Sequence, residues 1–90
     1  MLIALIAHDK PGALALRMEN RQAHLAYIEE TGVVAQAGPL LDAQGQMAGS
    51  LVVLDVPDMA AAETWAANDP YAKAGLFADV QLHAWKRVIG

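Results

Sequence analysis

Hydrophobic and polar residues follow one another in blocks along the chain, and the length and period of each block predict a strand or a helix. An apolar run of strand length, Met1–Ala7, opens the sequence and is followed by the turn dipeptide Pro11-Gly12. Residues 13–31 contain no Gly or Pro and are rich in strong helix formers, and Gly32 stands where a helix-ending glycine belongs. The first third of the chain therefore predicts a strand followed by a helix.

The remainder of the chain predicts three more strands and a second helix. These elements are a strand at Val33–Ala37 closed by Gly38-Pro39, a strand at Ala48–Val56, a helix at Met59–Asn68 and a strand at Phe77–Val88. Residues 71–76 predict a turn or a single helical turn. The resulting order, βαββαβ, is typical of a ferredoxin-like α+β fold, in which two helices lie on one face of a four-stranded antiparallel sheet.

The other face of such a sheet has no helix to cover it. The fourth predicted strand points aromatic and polar side chains at this face, namely Phe77, Asp79, Gln81, His83, Trp85 and Arg87. The first and third predicted strands are apolar on both of their faces. We therefore expect a homodimer in which two sheets pack face to face.

The composition agrees with an interface of this kind. The chain has 90 residues and is predicted to form a single domain over residues 1–90. Hydrophobic residues make up 56% of it and charged residues 18%, which is more apolar than average usage. A domain of this size has little interior in which to bury so many apolar side chains.

Charge and cysteine content narrow the function. The formal net charge of −4 disfavours nucleic-acid binding, because neutralising phosphates requires a basic surface. The absence of cysteine excludes disulfides, thiolate metal sites and a cysteine nucleophile. The longest apolar run, Met1–Ala7, is too short to cross a membrane and does not have the pattern of a signal peptide. We expect a cytoplasmic protein that binds neither nucleic acid nor membrane.

The most informative polar residues lie on the first predicted helix. The helical period of about 100° per residue gives one apolar stripe, formed by Leu14, Met18, Leu25 and Ile28. Arg21 is predicted to lie inside this stripe, with Arg17 and His24 at its edge. A buried guanidinium is costly unless it is paired or lies at the mouth of a cleft. Together the three residues predict a site for an anionic or polar ligand. The alternative is an Arg21 that snorkels to the surface and a purely structural His24.

Asp69 is the second candidate for the site. A carboxylate beside a histidine orients the ring and determines which ring nitrogen carries the proton. Asp69 precedes Pro70 at the end of the second predicted helix, where the alternative is a plain turn residue. Because the two helices lie side by side in the predicted fold, we expect Asp69 to be within reach of His24.

Weaker signals concern the second and third strands. Ser50, the only serine, either is a strand-edge hydroxyl or donates a hydrogen bond to a ligand. Gly38-Pro39 either ends the second strand or brings backbone close to the same ligand. No Gly-x-Ser-x-Gly sequence surrounds Ser50, so a serine nucleophile is not expected. The histidines lack metal-binding spacing and no glycine-rich phosphate loop occurs, so we expect no metal and no cofactor.

Short motifs in a fixed order run through the whole chain. They are Arg21-Gln-Ala-His24-Leu25, Ala37-Gly38-Pro39-Leu40, Gly49-Ser50, Trp65-Ala-Ala-Asn-Asp69-Pro70-Tyr71, Ala74-Gly75-Leu76 and Trp85. In this combination the chain resembles the YCII-related (YciI-like) domain family. The resemblance implies a dimeric α/β-barrel of ferredoxin-like subunits, with a pocket in which His24 pairs with Asp69 near Ser50 and Arg21. One branch of that family resembles enzymes that remove chloride from chlorinated hydroxyquinones, and nothing in the sequence selects that branch.

The sequence as a whole predicts a cofactor-independent enzyme in which His24, oriented by Asp69, is a general acid/base. Arg21 is expected to stabilise negative charge on a substrate oxygen. The further expected substrate contacts are Arg17, Ser50, Gly38 and Pro39. The substrate is expected to be a small polar or anionic molecule, phenols included, and elimination, isomerisation and hydrolysis all remain open. The alternatives are a non-catalytic small-molecule-binding module and a structural subunit of a larger complex.

Overall fold

The computed structural model describes residues 1–90 and contains a four-stranded antiparallel sheet with helices. Its elements are, in chain order, β1 (Leu2–Asp9), α1 (Leu14–Thr31), β2 (Val34–Leu41), β3 (Met47–Asp55), α2 (Met59–Asn68), α3 (Pro70–Lys73) and β4 (Phe77–Trp85). The strands lie in the order β2-β3-β1-β4, and every neighbouring pair is antiparallel. The ferredoxin-like prediction is confirmed, with the single turn α3 inserted after α2. No helix is both long and apolar enough to span a bilayer.

Local signals in the sequence set the ends of the helices. α1 ends where Gly32 adopts a left-handed backbone conformation with φ 64°, and the Gly32 N–H donates to the carbonyl of Ile28. α2 begins after Asp58, whose carboxylate accepts the backbone N–H of Ala61 at 2.8 Å. Asp69 has the extended backbone that a residue before proline prefers, and it therefore separates α2 from α3.

The hydrophobic core lies between one face of the sheet and the two long helices. β1 contributes Ile3 and Leu5, which pair across the ladder with Leu54 and Val52 of β3. Directly paired residues point to the same face of a sheet, so this register gathers the apolar side chains of the two central strands beneath the helices. Trp65 of α2 packs against this cluster from the helix side.

No helix covers the opposite face of the sheet. Leu51 of β3 and Trp85 of β4 are each 41% exposed there, although both are large apolar side chains. Their partners in β1, Ile6 and Leu2, are half-buried, so the apolar surface continues through the centre of the sheet. This is the face on which the homodimer is expected, and the homodimer stays a prediction.

Several predictions about the strands are wrong. β2 does not end before Gly38-Pro39 but runs through both residues to Leu41. It is an edge strand, which tolerates proline because one of its sides has no ladder to complete. Phe77 lies on the helix side and not on the uncovered face, because the register between β1 and β4 shifts at Asp9. β4 ends at Trp85, before the predicted boundary.

Candidate active site

A cavity of about 200 Å³ opens between α1, α3 and the β2–β3 half of the sheet. Half of its twelve lining residues are hydrophobic. The polar and charged side chains in the lining are Arg17, Arg21, His24, Ser50 and Tyr71. Gly38 and Pro39 form part of the wall from β2. Six of the seven residues predicted for the site therefore line one cavity, and the seventh, Asp69, lies against His24.

His24 and Asp69 are in direct contact, although 45 positions separate them in the sequence. Nδ1 of His24 is 2.7 Å from Oδ1 of Asp69, and both side chains are buried. Oδ1 also accepts the backbone N–H of Tyr71 at 3.0 Å. A carboxylate in this position is the acceptor, so we assign the ring proton to Nδ1. Nε2 has no hydrogen-bond partner in the chain, which leaves its lone pair free.

The fold brings Asp69 to His24 because Asp69 stands between two helices. Its extended backbone ends α2, and its carboxylate caps α3 through the N–H of Tyr71. The same carboxylate contacts the histidine of α1. Asp69 therefore fits both interpretations that the sequence offered. It is a turn residue between two helices, and its carboxylate contacts His24. The catalytic roles of His24 and Asp69 stay predictions.

Tyr71 forms the aromatic centre of the site, and the sequence reasoning missed it. Its ring stacks on the His24 imidazole, with centroids 4.0 Å apart and 15° between the planes. The guanidinium carbon of Arg17 lies 4.6 Å from the ring centroid, and Phe77 meets the ring edge-on at 6.0 Å. Burial raises the pKa of Tyr71 against the opposing effect of two nearby arginines, so the phenol is neutral at pH 7.

Arg17 is buried in a network that the sequence also did not reveal. Nε of Arg17 donates to Oδ2 of Asp9 at 2.7 Å, and Nη2 of Arg17 donates to Oδ1 at 3.0 Å. The two side chains thus form a bidentate ion pair. Nη2 also donates to Oγ of Ser50 at 2.8 Å. Burial lowers the pKa of Arg17, but the hydrogen bond and charge of Asp9, together with the nearby Tyr71, outweigh burial and raise the pKa above its usual value. The only sequence signal for Asp9 was its place beside the end of the first predicted strand.

The predicted orientation of α1 is only partly right: Ile28 packs against the core as expected, but the middle of the predicted stripe does not. Met18 is 52% exposed and Leu25 46% exposed, although both were assigned to the buried stripe. Arg21 is exposed at the cavity and not inside the core, whereas Arg17 and His24 are the buried residues of the helix. Their polar groups find partners on other elements, and these contacts decide which side of α1 faces inward. Arg21 forms no ion pair within the chain, so its charge is available at the cavity.

The site holds no ready arrangement for a metal ion. No group of three or more His, Asp or Glu side chains is placed to ligate one. His24 is the only histidine that lines the cavity. His8 and His83 lie on the uncovered face of the sheet, since their β-ladder positions alternate with the core-facing residues of β1 and β4.

Comparison with solved structures first defines the class of fold. The structure of an antibiotic biosynthesis monooxygenase matches this chain with a TM-score of 0.62 and 14% identity, over 99% of this chain and 100% of the other. At that identity the likeness concerns the fold alone, and it agrees with the ferredoxin-like α+β fold expected from the sequence.

The family follows from closer relatives. Residues 1–86 match the YCII-related domain, and the chain belongs to that family, as the resemblance predicted. It is similar to the protein YciI of Escherichia coli, with 34% identity over 98% of this chain and 99% of that protein. It is 32% identical, over the same shares of both chains, to an uncharacterized protein of Haemophilus influenzae.

One solved relative carries a ligand. The 5-chloro-2-hydroxyhydroquinone dehydrochlorinase TftG from Burkholderia phenoliruptrix, in complex with 2,5-dihydroxybenzoquinone, is 35% identical to this chain. The match has a TM-score of 0.89 and covers 96% of this chain and 94% of the dehydrochlorinase. The likeness to this enzyme therefore extends over nearly the whole fold.

Proposed function

We propose that the chain is an enzyme in which His24, held by Asp69, transfers a proton to or from a small acidic substrate in the cavity. The observation that carries this proposal is the buried 2.7 Å contact between Nδ1 and Oδ1, on a histidine that lines the cavity. A carboxylate at Nδ1 stabilises the imidazolium that forms when Nε2 takes a proton. Because the same ring can return the proton, the pair supports transfer in both directions.

The surroundings of His24 support this role because they restrict the ring. Tyr71 stacks on one face of the imidazole, and the backbone N–H of Tyr71 holds the carboxylate of Asp69. A general base must keep its lone pair within hydrogen-bond reach of the proton that it takes. We propose that Tyr71 and Asp69 together keep Nε2 in such a position.

Arg21 is the cation that we propose for a negatively charged substrate oxygen. It is exposed, lines the cavity and has no ion-pair partner in the chain. Arg17, one turn earlier on α1, is already engaged by a carboxylate and is part of the wall. A guanidinium beside an oxygen on which charge develops stabilises the transition state more than the ground state.

The size of the cavity limits the substrate. Its volume is about 200 Å³, compared with about 150 Å³ for an engineered protein cavity that binds benzene and roughly 300–1,000 Å³ for drug-sized ligands. A single substituted ring therefore fits. The related dehydrochlorinase was solved with such a molecule, 2,5-dihydroxybenzoquinone. We propose hydroxylated one-ring compounds as the substrate class, with elimination, isomerisation and hydrolysis still open as the reaction.

The proposal is tested by measuring turnover of the unaltered chain and of His24→Ala. The compounds to be assayed are 5-chloro-2-hydroxyhydroquinone and a panel of hydroxylated quinones and phenols. We expect the unaltered chain to convert an excess of one of these compounds, and His24→Ala to lose about 10²–10⁴-fold in kcat. Thr64→Ala is the control, because this exposed hydroxyl bonds only its own helix. Saturation at one ligand per site without product indicates a binding module, and full activity of His24→Ala contradicts the dyad.

We also propose that a second copy of the chain packs against the uncovered sheet face. The exposed Leu51 and Trp85 lie on this face, and no element of the chain shields them. Sedimentation measures the mass in solution directly. We expect a dimer for the unaltered chain and a monomer for Leu51→Asp, which places a charge in the proposed interface. An unaltered chain that stays monomeric at every concentration contradicts this proposal.

A further inference from the structure

Ser50 is a buried hydroxyl whose hydrogen-bond direction is set by its neighbour. The residue is 3% exposed, and its Oγ lies 2.8 Å from Nη2 of Arg17. A guanidinium carries only donors, so Oγ of Ser50 is the acceptor of this bond. The hydroxyl proton of Ser50 must therefore point somewhere other than at Arg17.

No acceptor in the chain takes that proton. The contact with Arg17 is the only hydrogen bond of the Ser50 side chain, and Ser50 lines the same cavity as His24. Buried donors without an acceptor are rare in folded proteins, and each of them calls for an explanation. An oxygen of the molecule that occupies the cavity explains this one.

Asp9 holds the arrangement from outside the cavity. Its two carboxylate oxygens accept hydrogen bonds from Nε–H and from one N–H of Nη2 of Arg17. The second hydrogen of Nη2 is therefore left for Ser50. Asp9 is not among the residues that line the cavity. The ion pair also occupies the charge of Arg17, so the guanidinium orients the serine and is not the free cation of the site.

We propose that Asp9 is a positioning residue that, through Arg17, makes Ser50 a one-way hydrogen-bond donor to a ligand oxygen. This inference rests on the proposed function, in which Nε2 of His24 accepts the proton of an acidic hydroxyl on the same ligand. Ser50 and His24 then contact two different oxygens of that ligand. The substrate class is then narrower than phenols in general. It comprises compounds that carry both an acidic hydroxyl and a separate carbonyl or oxyanion, such as hydroxyquinones.

Neutron diffraction from deuterated crystals of the unaltered protein tests the direction of the serine hydroxyl without any variant. We expect the deuterium of Ser50 to point into the cavity, with the two deuteriums of Nη2 of Arg17 directed at Asp9 and at Ser50. A Ser50 deuterium that is donated to Asp9 or to a backbone carbonyl overturns the proposal. This measurement also decides the matter if a variant at Asp9 does not fold.

A double-mutant cycle tests whether Asp9 acts through Ser50, with calorimetric binding of 2,5-dihydroxybenzoquinone as the readout. Ser50→Ala is expected to weaken binding about 10- to 100-fold, the loss of a hydrogen bond to a charged oxygen. Asp9→Asn is expected to weaken it several-fold when Ser50 is present and less than about twofold in the Ser50→Ala background, because coupled residues are not additive. Glu63→Gln, an exposed carboxylate on α2, is the control for the change in charge.

Equal effects of Asp9→Asn in both backgrounds overturn the positioning role, since a merely structural effect adds to that of Ser50→Ala. Phenol, which has a single oxygen, is expected to bind weakly and to be insensitive to Ser50→Ala. Phenol binding as tight as that of 2,5-dihydroxybenzoquinone, or no binding of the latter to the unaltered protein, overturns the ligand class.

The two proposals fail separately. If His24→Ala keeps full turnover while Asp9 and Ser50 remain coupled in binding, the proposed proton transfer is wrong and the serine donor stands. If His24→Ala loses turnover but Asp9 and Ser50 are not coupled in binding, the proposed proton transfer stands and the positioning role of Asp9 is wrong.

Discussion

The chain contains two histidine–aspartate pairs, one on each side of the sheet, and they share little beyond their residue types. Nδ1 of His24 is 2.7 Å from Asp69, and these side chains are 8% and 2% exposed. Nδ1 of His8 is 3.1 Å from Asp79 on the uncovered face, and these side chains are 56% and 47% exposed. In a single chain, water and salt screen the exposed pair, so it contributes little and is free to exchange for solvent contacts.

The two pairs differ more in their further contacts than in the distance between histidine and aspartate. The buried pair is held by a backbone N–H on its carboxylate and by the Tyr71 ring on its imidazole. His8 and Asp79 are simply cross-strand neighbours in the β1–β4 ladder. A histidine beside an aspartate therefore becomes a candidate for catalysis only where the surroundings fix both side chains and exclude water.

The largest expected effect concerns turnover. Asp69→Asn keeps the shape of the side chain but removes the charge that stabilises an imidazolium, and we expect kcat to fall about 10²–10⁴-fold. Asp79→Asn makes the same change in the exposed pair and is expected to leave kcat within about twofold. Steady-state kinetics on a substrate of the unaltered chain measures both. Similar losses in the two variants would show that burial does not distinguish the pairs.

A smaller effect is expected in stability. Asp69→Ala removes both the cap of α3 and the partner of a buried imidazole, so we expect the free energy of unfolding to fall by about 2–3 kcal/mol. For Asp79→Ala, introduced into the Leu51→Asp chain that we expect to be monomeric, we expect a loss of about 0.5 kcal/mol or less, because the pair is then exposed. Urea denaturation of both variants measures the difference. A loss of the same size at Asp79 in this monomeric background would contradict the comparison, because the pair is exposed there.

The smallest expected effect is on alkaline stability and concerns the ring that packs on the buried pair. Burial raises the pKa of Tyr71, so folding favours the neutral phenol. This contribution is complete below the unfolded-state pKa of about 10 and is lost as the pH rises through the folded-state pKa. We expect Tyr71→Phe to lose less stability than the unaltered chain above pH ~10. Thermal unfolding across this range checks the sign, and an equal decline in both proteins would contradict it.

The sequence is most informative where the signal is local. The bounds of α2 follow from Asp58 as its cap and from Asp69-Pro70 as its end, and the structure has the helix at the predicted residues Met59–Asn68. The proximity of His24 and Asp69 also follows from sequence, because the strand order fixes which helices lie side by side. Both inferences need only neighbours in the chain or the topology of the fold.

The rotation of α1 could not be predicted in this way. Which side of the helix faces the sheet depends on whether Arg17 finds partners, and Ser50 is 33 positions away from it. Hydrophobic periodicity assigns Met18 and Leu25 to the core because it counts only apolar burial. A buried polar network reverses that preference, and its members become visible only when distant strands are brought together.

Ala78 is the residue that the pairing of β4 with β1 omits. His8 faces Asp79 and Asp9 faces Phe77, so Ala78 has no counterpart on the neighbouring strand. This one-residue β-bulge reverses the face of the sheet to which Phe77 points, so its ring contacts the Tyr71 ring edge-on. If Ala78 were instead paired with Asp9, strict alternation along β4 would turn the benzyl group of Phe77 to the uncovered face, although no group that contacts a ligand would change. The register of a strand therefore contributes to the construction of the pocket.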